Sequence, residues 1–166
     1  MSGDATTSGN ADTSVSFLGM LGQALMIVQQ SYPSAQFYEA DLNIEMAGSP
    51  WRFVFNDPST SPNSTVILKN YMGQFQLPPQ HISQPWLEDR VIPMPVTLDL
   101  AKAQAIAQQK YSGNITQISL RWPLYPGVNE PNYIFTMPTQ GGWVFVGVYT
   151  QRVSFEPFQA EAVAAG

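Results

Sequence analysis

ALMIVQQSY (residues 24–32) and AQAIAQQKY (residues 103–111) are near-copies, 79 positions apart in a chain of 166 residues. Laid on their shared Gln-Gln-x-Tyr, Ala24 falls on Ala103, Ile27 on Ile106, Gln29 and Gln30 on Gln108 and Gln109, and Tyr32 on Tyr111. In the second copy Leu100, Ala103, Ile106, Ala107 and Tyr111 recur at steps of three and four, the stripe of a helix that buries one face. Asp99 stands where an N-cap belongs and Gly113 where a helix stops.

Each helix is followed by alternating sequence. In FYEADLNIEM (37–46) Tyr38, Ala40, Leu42, Ile44 and Met46 alternate with Glu39, Asp41, Asn43 and Glu45; in ITQISLRW (115–122) Ile118, Leu120 and Trp122 alternate with Gln117, Ser119 and Arg121. That is the period of a strand wet on one face. One inserted residue aligns Ala40 with Ile118 and Leu42 with Leu120. WRFVF (51–55) then answers YIFTM (133–137), and TVILKN (65–70) answers WVFVGVYT (143–150). Short turn-rich loops such as PTQGG (138–142), where Gly141 and Gly142 permit positive φ, favour antiparallel pairing. Helix, strand, strand, strand is therefore expected twice.

The fold class expected is α+β: two tandem helix-plus-three-strand antiparallel units packed together. Residues 1–14 read as a flexible polar leader, 15–76 as the first unit, 77–96 as a connector, 97–156 as the second unit and 157–166 as a tail. The connector holds five prolines in twenty residues, so it is expected to be extended.

Charged residues make up 11% of the chain and the net charge is −5. The seven cations (Arg52, Lys69, Arg90, Lys102, Lys110, Arg121, Arg152) are scattered singly along the sequence, which gives nucleic acid no basic stripe to neutralise. Cysteine is absent, so no disulfide, thiolate nucleophile or sulfur-ligated metal is available. The most apolar stretch, VSFLGMLGQALMIV (15–28), is shorter than the ~18 residues that argue a membrane span and reads as a core helix.

The pattern resembles PepSY-type domains, small cystatin-like units of one helix on three strands. LAKAQAIAQQKYSGNITQISL (100–120) is similar to that family's helix and first strand, and VILKNYMGQF (66–75) to its closing strand, with Asn70 and Gly73 at the matching positions. The second copy, VGVYTQRVSF (146–155), lacks the glycine. The resemblance spans residues 17–75 and 98–155. It implies an extracytoplasmic or membrane-associated binding or regulatory module, of a kind suggested to restrain peptidases, and supplies no catalytic residue.

Catalytic patterns are scarce. His81 is the single histidine and lies in the connector, with no Gly-x-Ser-x-Gly elsewhere in the chain; one histidine without cysteine does not make a zinc tetrahedron. Glu39, Asp41 and Glu45 share the phase of one strand, a spacing that can serve acid–base work or a hard cation but reads first as a solvated sheet face. No phosphate-cradling glycine motif occurs, and no cofactor is expected. Asn63 and Asn114 head glycosylation-type triplets, which arise easily in a chain rich in Ser, Thr and Asn.

The aromatic residues carry the functional expectation. Trp51, Phe53 and Phe55 share a strand face, and Trp143, Phe145 and Tyr149 lie opposite Val144, Val146 and Val148. A strand apolar on both sides needs two covers, its own helix and either the sister unit or a partner. The reading is a non-enzymatic module that recognises a protein or peptide through Trp51, Phe53, Trp86, Trp143, Phe145 and Tyr149. Membrane association would come through a removed or adjacent anchor, and homo-oligomers are compatible. A structural subunit of a larger assembly is the alternative, and an enzyme using Glu39 and Asp41 a further one.

Overall fold

The computed structural model describes residues 16–86, 90–123 and 126–158. Along the chain come α1 (Phe17–Ser31), β1 (Gln36–Asn43), β2 (Trp51–Asp57), β3 (Ser64–Tyr71), β4 (Gln74–Ile82), α2 (Leu100–Lys110), β5 (Gln117–Arg121), β6 (Asn132–Met137), a short 3-10 turn (Pro138–Gln140), β7 (Gly142–Gly147) and β8 (Val153–Pro157). The fold is α+β, with all eight strands in one antiparallel sheet of order β4-β3-β2-β1-β5-β6-β7-β8.

Two expectations are corrected. Each helix is followed by four strands, because β4 occupies the start of the supposed connector and β8 the end of the second unit. Pro78 and Pro79 hid β4, but it is an edge strand, where a missing N–H breaks no inner ladder, and its register shifts beside them. The two halves also do not cover one another face to face. They join edge to edge through β1 and β5, with Ala40 opposite Leu120, Asp41 opposite Ser119 and Leu42 opposite Ile118.

Register separates the two faces of the sheet. Leu68, Phe53, Ala40, Leu120, Tyr133, Val146 and Val153 form one continuous row across seven strands; the first six belong to the main core and the half-buried Val153 packs against it. Over that face lie Phe17, Leu21, Ala24 and Val28 of α1 and Ala103 and Ala107 of α2, so both helices cover the same side. Each of the large side chains closed off there contributes about 1.5–3 kcal/mol by leaving water.

The helices begin as their caps dictate. Ser16 Oγ accepts from Gly19 N at 3.0 Å. Asp99 Oδ1 accepts from Leu100 N at 2.9 Å and also from Leu18 N at 3.1 Å, so one carboxylate serves the first turns of both helices. Tyr133 Oη donates to the Leu98 carbonyl at 2.6 Å and fixes the approach to that cap. α2 ends at Lys110, ahead of the expected stop at Gly113.

The alternation read in residues 37–46 holds only in part. A bulge between Phe37 and Glu39 changes the phase, so Phe37 and Ala40 face the helices while Tyr38 joins Val54 and Ile67 in a second, smaller cluster on the far face. The strand ends at Asn43, leaving Ile44 and Met46 in an exposed loop.

Candidate functional site

The far face, turned away from the helices, carries a second continuous row. Lys69, Arg52, Asp41, Ser119, Ile134, Phe145 and Ser154 lie side by side across seven strands. Its middle is polar and interlocked. Arg52 Nη2 lies 2.8 Å from Asp41 Oδ2 and 3.6 Å from Glu39 Oε2, and Ser119 Oγ donates to Asp41 Oδ1 at 3.1 Å.

Part of this face is roofed by the segment after β4. Thr65 Oγ1 donates to the Gln84 carbonyl at 2.7 Å, and Ile92 N donates to the Phe37 carbonyl at 2.8 Å. Between these ties, Trp86 Nε1 donates to Glu39 Oε1 at 3.2 Å, and the Arg52 guanidinium sits 5.3 Å from the Trp86 ring centre. Arg90 stacks 4.1 Å over Trp122. Two reciprocal cation–π pairs thus hold Trp86 and Arg90 themselves, the first under a strand arginine and the second over a tryptophan just past β5.

This roof explains the behaviour of the carboxylates. Glu39 is only 5% exposed, so the expected solvated sheet face is corrected. Its oxygens are met by the indole N–H and by Arg52, as a buried charge requires. Burial pushes the Asp41 carboxyl up to about 7; the hydrogen bond and charge of Glu39 act in the same sense, and Arg52 opposes them. Near neutral pH the cluster therefore holds an exchangeable proton beside a guanidinium. Glu45 is in the exposed loop after β1 and takes no part.

Beside Trp86 the roof leaves a cleft of about 440 Å³ lined by Thr65, Ile82, Gln84, Pro85 and Trp86. The indole is half-buried, packed against the small cluster of Tyr38, Val54 and Ile67, with its N–H toward Glu39.

The six aromatic residues expected to form one binding surface are spread over four places. Phe53 is fully buried under α1, and Trp51 packs at 4.9 Å from Phe17 on the same side; both serve the core and are withdrawn from the surface. Trp143 and Phe145 lie on the far face of β7, where Phe145 is 7% exposed and Trp143 meets Phe158 edge-on at 4.6 Å. Tyr149 is exposed in the β7–β8 turn, which Glu130 pins by accepting from the backbone of Tyr149 and Thr150 at 2.7 and 2.9 Å. Trp86 alone of the six borders the cleft. Arg52 and Ser119 escaped the sequence reading as site residues; the signal for Arg52 was a cation inside the otherwise apolar stretch WRFVF (51–55), in a chain with seven cations. His81 stacks on Tyr32 at 5.4 Å.

No family model matches the chain, and no curated protein is similar to it. Among solved structures, a protein of Clostridium difficile 630 provisionally described as a lipoprotein has a TM-score of 0.59 and 12% identity, over 86% of this chain and 93% of that one. At that identity the likeness shows the fold.

Proposed function

We propose that the chain is a non-enzymatic binding or regulatory module that takes a protein or peptide on the far face of its sheet, in the cleft beside Trp86. The observation that carries this reading is the half-buried Trp86 forming the wall of an open, mainly apolar cavity of about 440 Å³ on the side the helices leave uncovered. The tandem part of the PepSY-like reading is supported by the repeated order of one helix and four strands, one strand more than the family's unit, and by the way Ala40 and Leu42 pair crosswise with Leu120 and Ile118. Asn70 Oδ1 accepts from Gly73 N at 3.0 Å, which gives the matched closing residues a turn-forming role. The lipoprotein description of the similar structure and the family resemblance support a place outside the cytoplasm or at a membrane surface. No helix among the described residues is long and apolar enough to cross a membrane.

A random peptide library displayed on phage and panned against the full chain tests the cleft. Selected peptides are expected to lose about tenfold or more in affinity on Trp86→Ala, the scale of an aromatic anchor, and to keep it on Trp143→Ala. Equal binding to the wild type and Trp86→Ala would remove the cleft from consideration.

One observation favours a second reading, a subunit of a larger assembly. Ile44, Met46, Tyr71 and Met72 project from the β1–β2 loop and the β3–β4 turn at one end of the sheet, with Met72 84% exposed. Met72 also holds φ +51 in a two-residue turn with Gly73 at φ +86, a conformation asparagine adopts more readily. Met72→Asn is expected to raise stability by a few tenths of a kcal/mol and, on this second reading, to lower the mass seen by light scattering. A wild-type protein already monomeric at high concentration rules the assembly out.

A further inference from the structure

Resting on the peptide-binding reading, we infer that the segment received by the Trp86 cleft is acidic: an extended peptide that seats an apolar side chain against the indole and lays a carboxylate across Lys69 and Arg52. These two cations are directly opposite one another on β3 and β2, on the face that carries the cleft. Cross-strand partners stand about 4.5–5.5 Å apart at Cβ, and like charges in that position repel. A chain with only seven cations and a net charge of −5 spends two of them there.

Their surroundings are unequal. On its other side Arg52 is answered by Asp41 and Glu39. Lys69 is exposed, its other cross-strand neighbour is the neutral Gln76, and it makes no ion pair among the described residues. Arg52 stands between Lys69 and Asp41 in the row, so it screens an incoming anion from that carboxylate. A carboxylate placed over both cations relieves their repulsion and gains charge-assisted hydrogen bonds from two donors.

The spacing fixes the kind of ligand. Thr65, in the wall of the cleft, and Lys69 lie on the same face of the same strand, four residues apart. At about 3.3 Å per residue that separation is roughly 13 Å, and the indole itself reaches to 5.3 Å from Arg52, so an extended peptide running along β3 carries its acidic residue within about four positions of its apolar anchor. The lining of Ile82, Pro85 and Trp86 suits an aliphatic or aromatic side chain at the anchor.

The test uses the full chain and fluorescein-labelled peptides carrying one phenylalanine and, about four residues on, glutamate, glutamine or lysine. By fluorescence anisotropy the glutamate peptide is expected to bind about tenfold more tightly than the lysine peptide, a preference that shrinks as salt is added. Lys69→Ala should reduce the preference to about twofold, and Lys69→Glu should reverse it. Equal binding of the three peptides to the wild type, with all three lost on Trp86→Ala, overturns the acidic partner and leaves the cleft standing. If none binds, or Trp86→Ala changes nothing, the cleft and the acidic partner fall together.

Discussion

Replacing Asp99 by alanine is expected to cost the fold about 2–3 kcal/mol, roughly twice what a single helix cap is worth. Its carboxylate accepts from Leu100 N of the helix it caps and from Leu18 N of the other, at 2.9 and 3.1 Å. Both helix N-termini therefore lose a negative partner at once, and two backbone donors lose their acceptor. Ser16→Ala, which removes an acceptor from α1 alone, is the reference and should cost about 1 kcal/mol. Asp99→Asn keeps an acceptor oxygen and is expected to fall between the two. Urea unfolding of the three variants checks this, and equal losses for Asp99→Ala and Ser16→Ala would mean that the contact with α1 contributes nothing.

The second large effect is in pH. The Asp41 carboxyl titrates at about 7 in the fold against 3.8 as an ordinary aspartate. Between those values the folded chain holds a proton that the unfolded chain has released, so stability falls as pH rises from about 4 to about 7 and levels off above it. Three units correspond to about 4 kcal/mol at most; sharing of charge with Glu39 and Arg52 makes about 2 kcal/mol the working expectation. Asp41→Asn imitates the protonated form, keeps the contact with Ser119, and should be more stable than the wild type at pH 8 and close to it at pH 4. Comparing the two proteins by urea unfolding across that range isolates the group from other carboxylates. Glu130 acts in the opposite sense: burial raises its carboxyl, but its hydrogen bonds with Thr150 and Tyr149 and the charge of Arg152 bring it below the ordinary value. Parallel profiles for wild type and Asp41→Asn would show that Asp41 is ionised throughout.

The elements legible in the sequence are those whose signal is local. The stripe of Ala103 and Ala107 with Leu100, Ile106 and Tyr111 names α2 and its buried side, and Asp99 names its first turn. The alternation of Trp143 and Phe145 with Val144 and Val146 gives β7 its two faces, as observed. β4 was hidden because Pro78 and Pro79 argue against an inner strand and say nothing against an edge. The site was less legible, since its environment comes from far along the chain. Glu39 is closed off by Trp86, 47 positions away, and Asp41 is joined by Ser119, 78 positions away. Period-two spacing put both carboxylates on one face and gave no hint that a later segment would roof it.

The seam between β1 and β5 has a consequence for synthesis. The ladder from Ala40 to Asn43 waits for Gln117 to Leu120, so a nascent first half leaves the ribosome with its innermost strand unpaired on one side. Asp41 and Asn43 line that waiting edge, and polar groups there discourage neighbouring chains from docking before the rightful strand arrives. Until Gln117 to Leu120 emerge, those polar groups alone guard the open edge, while the finished polypeptide has that strand sealed inside.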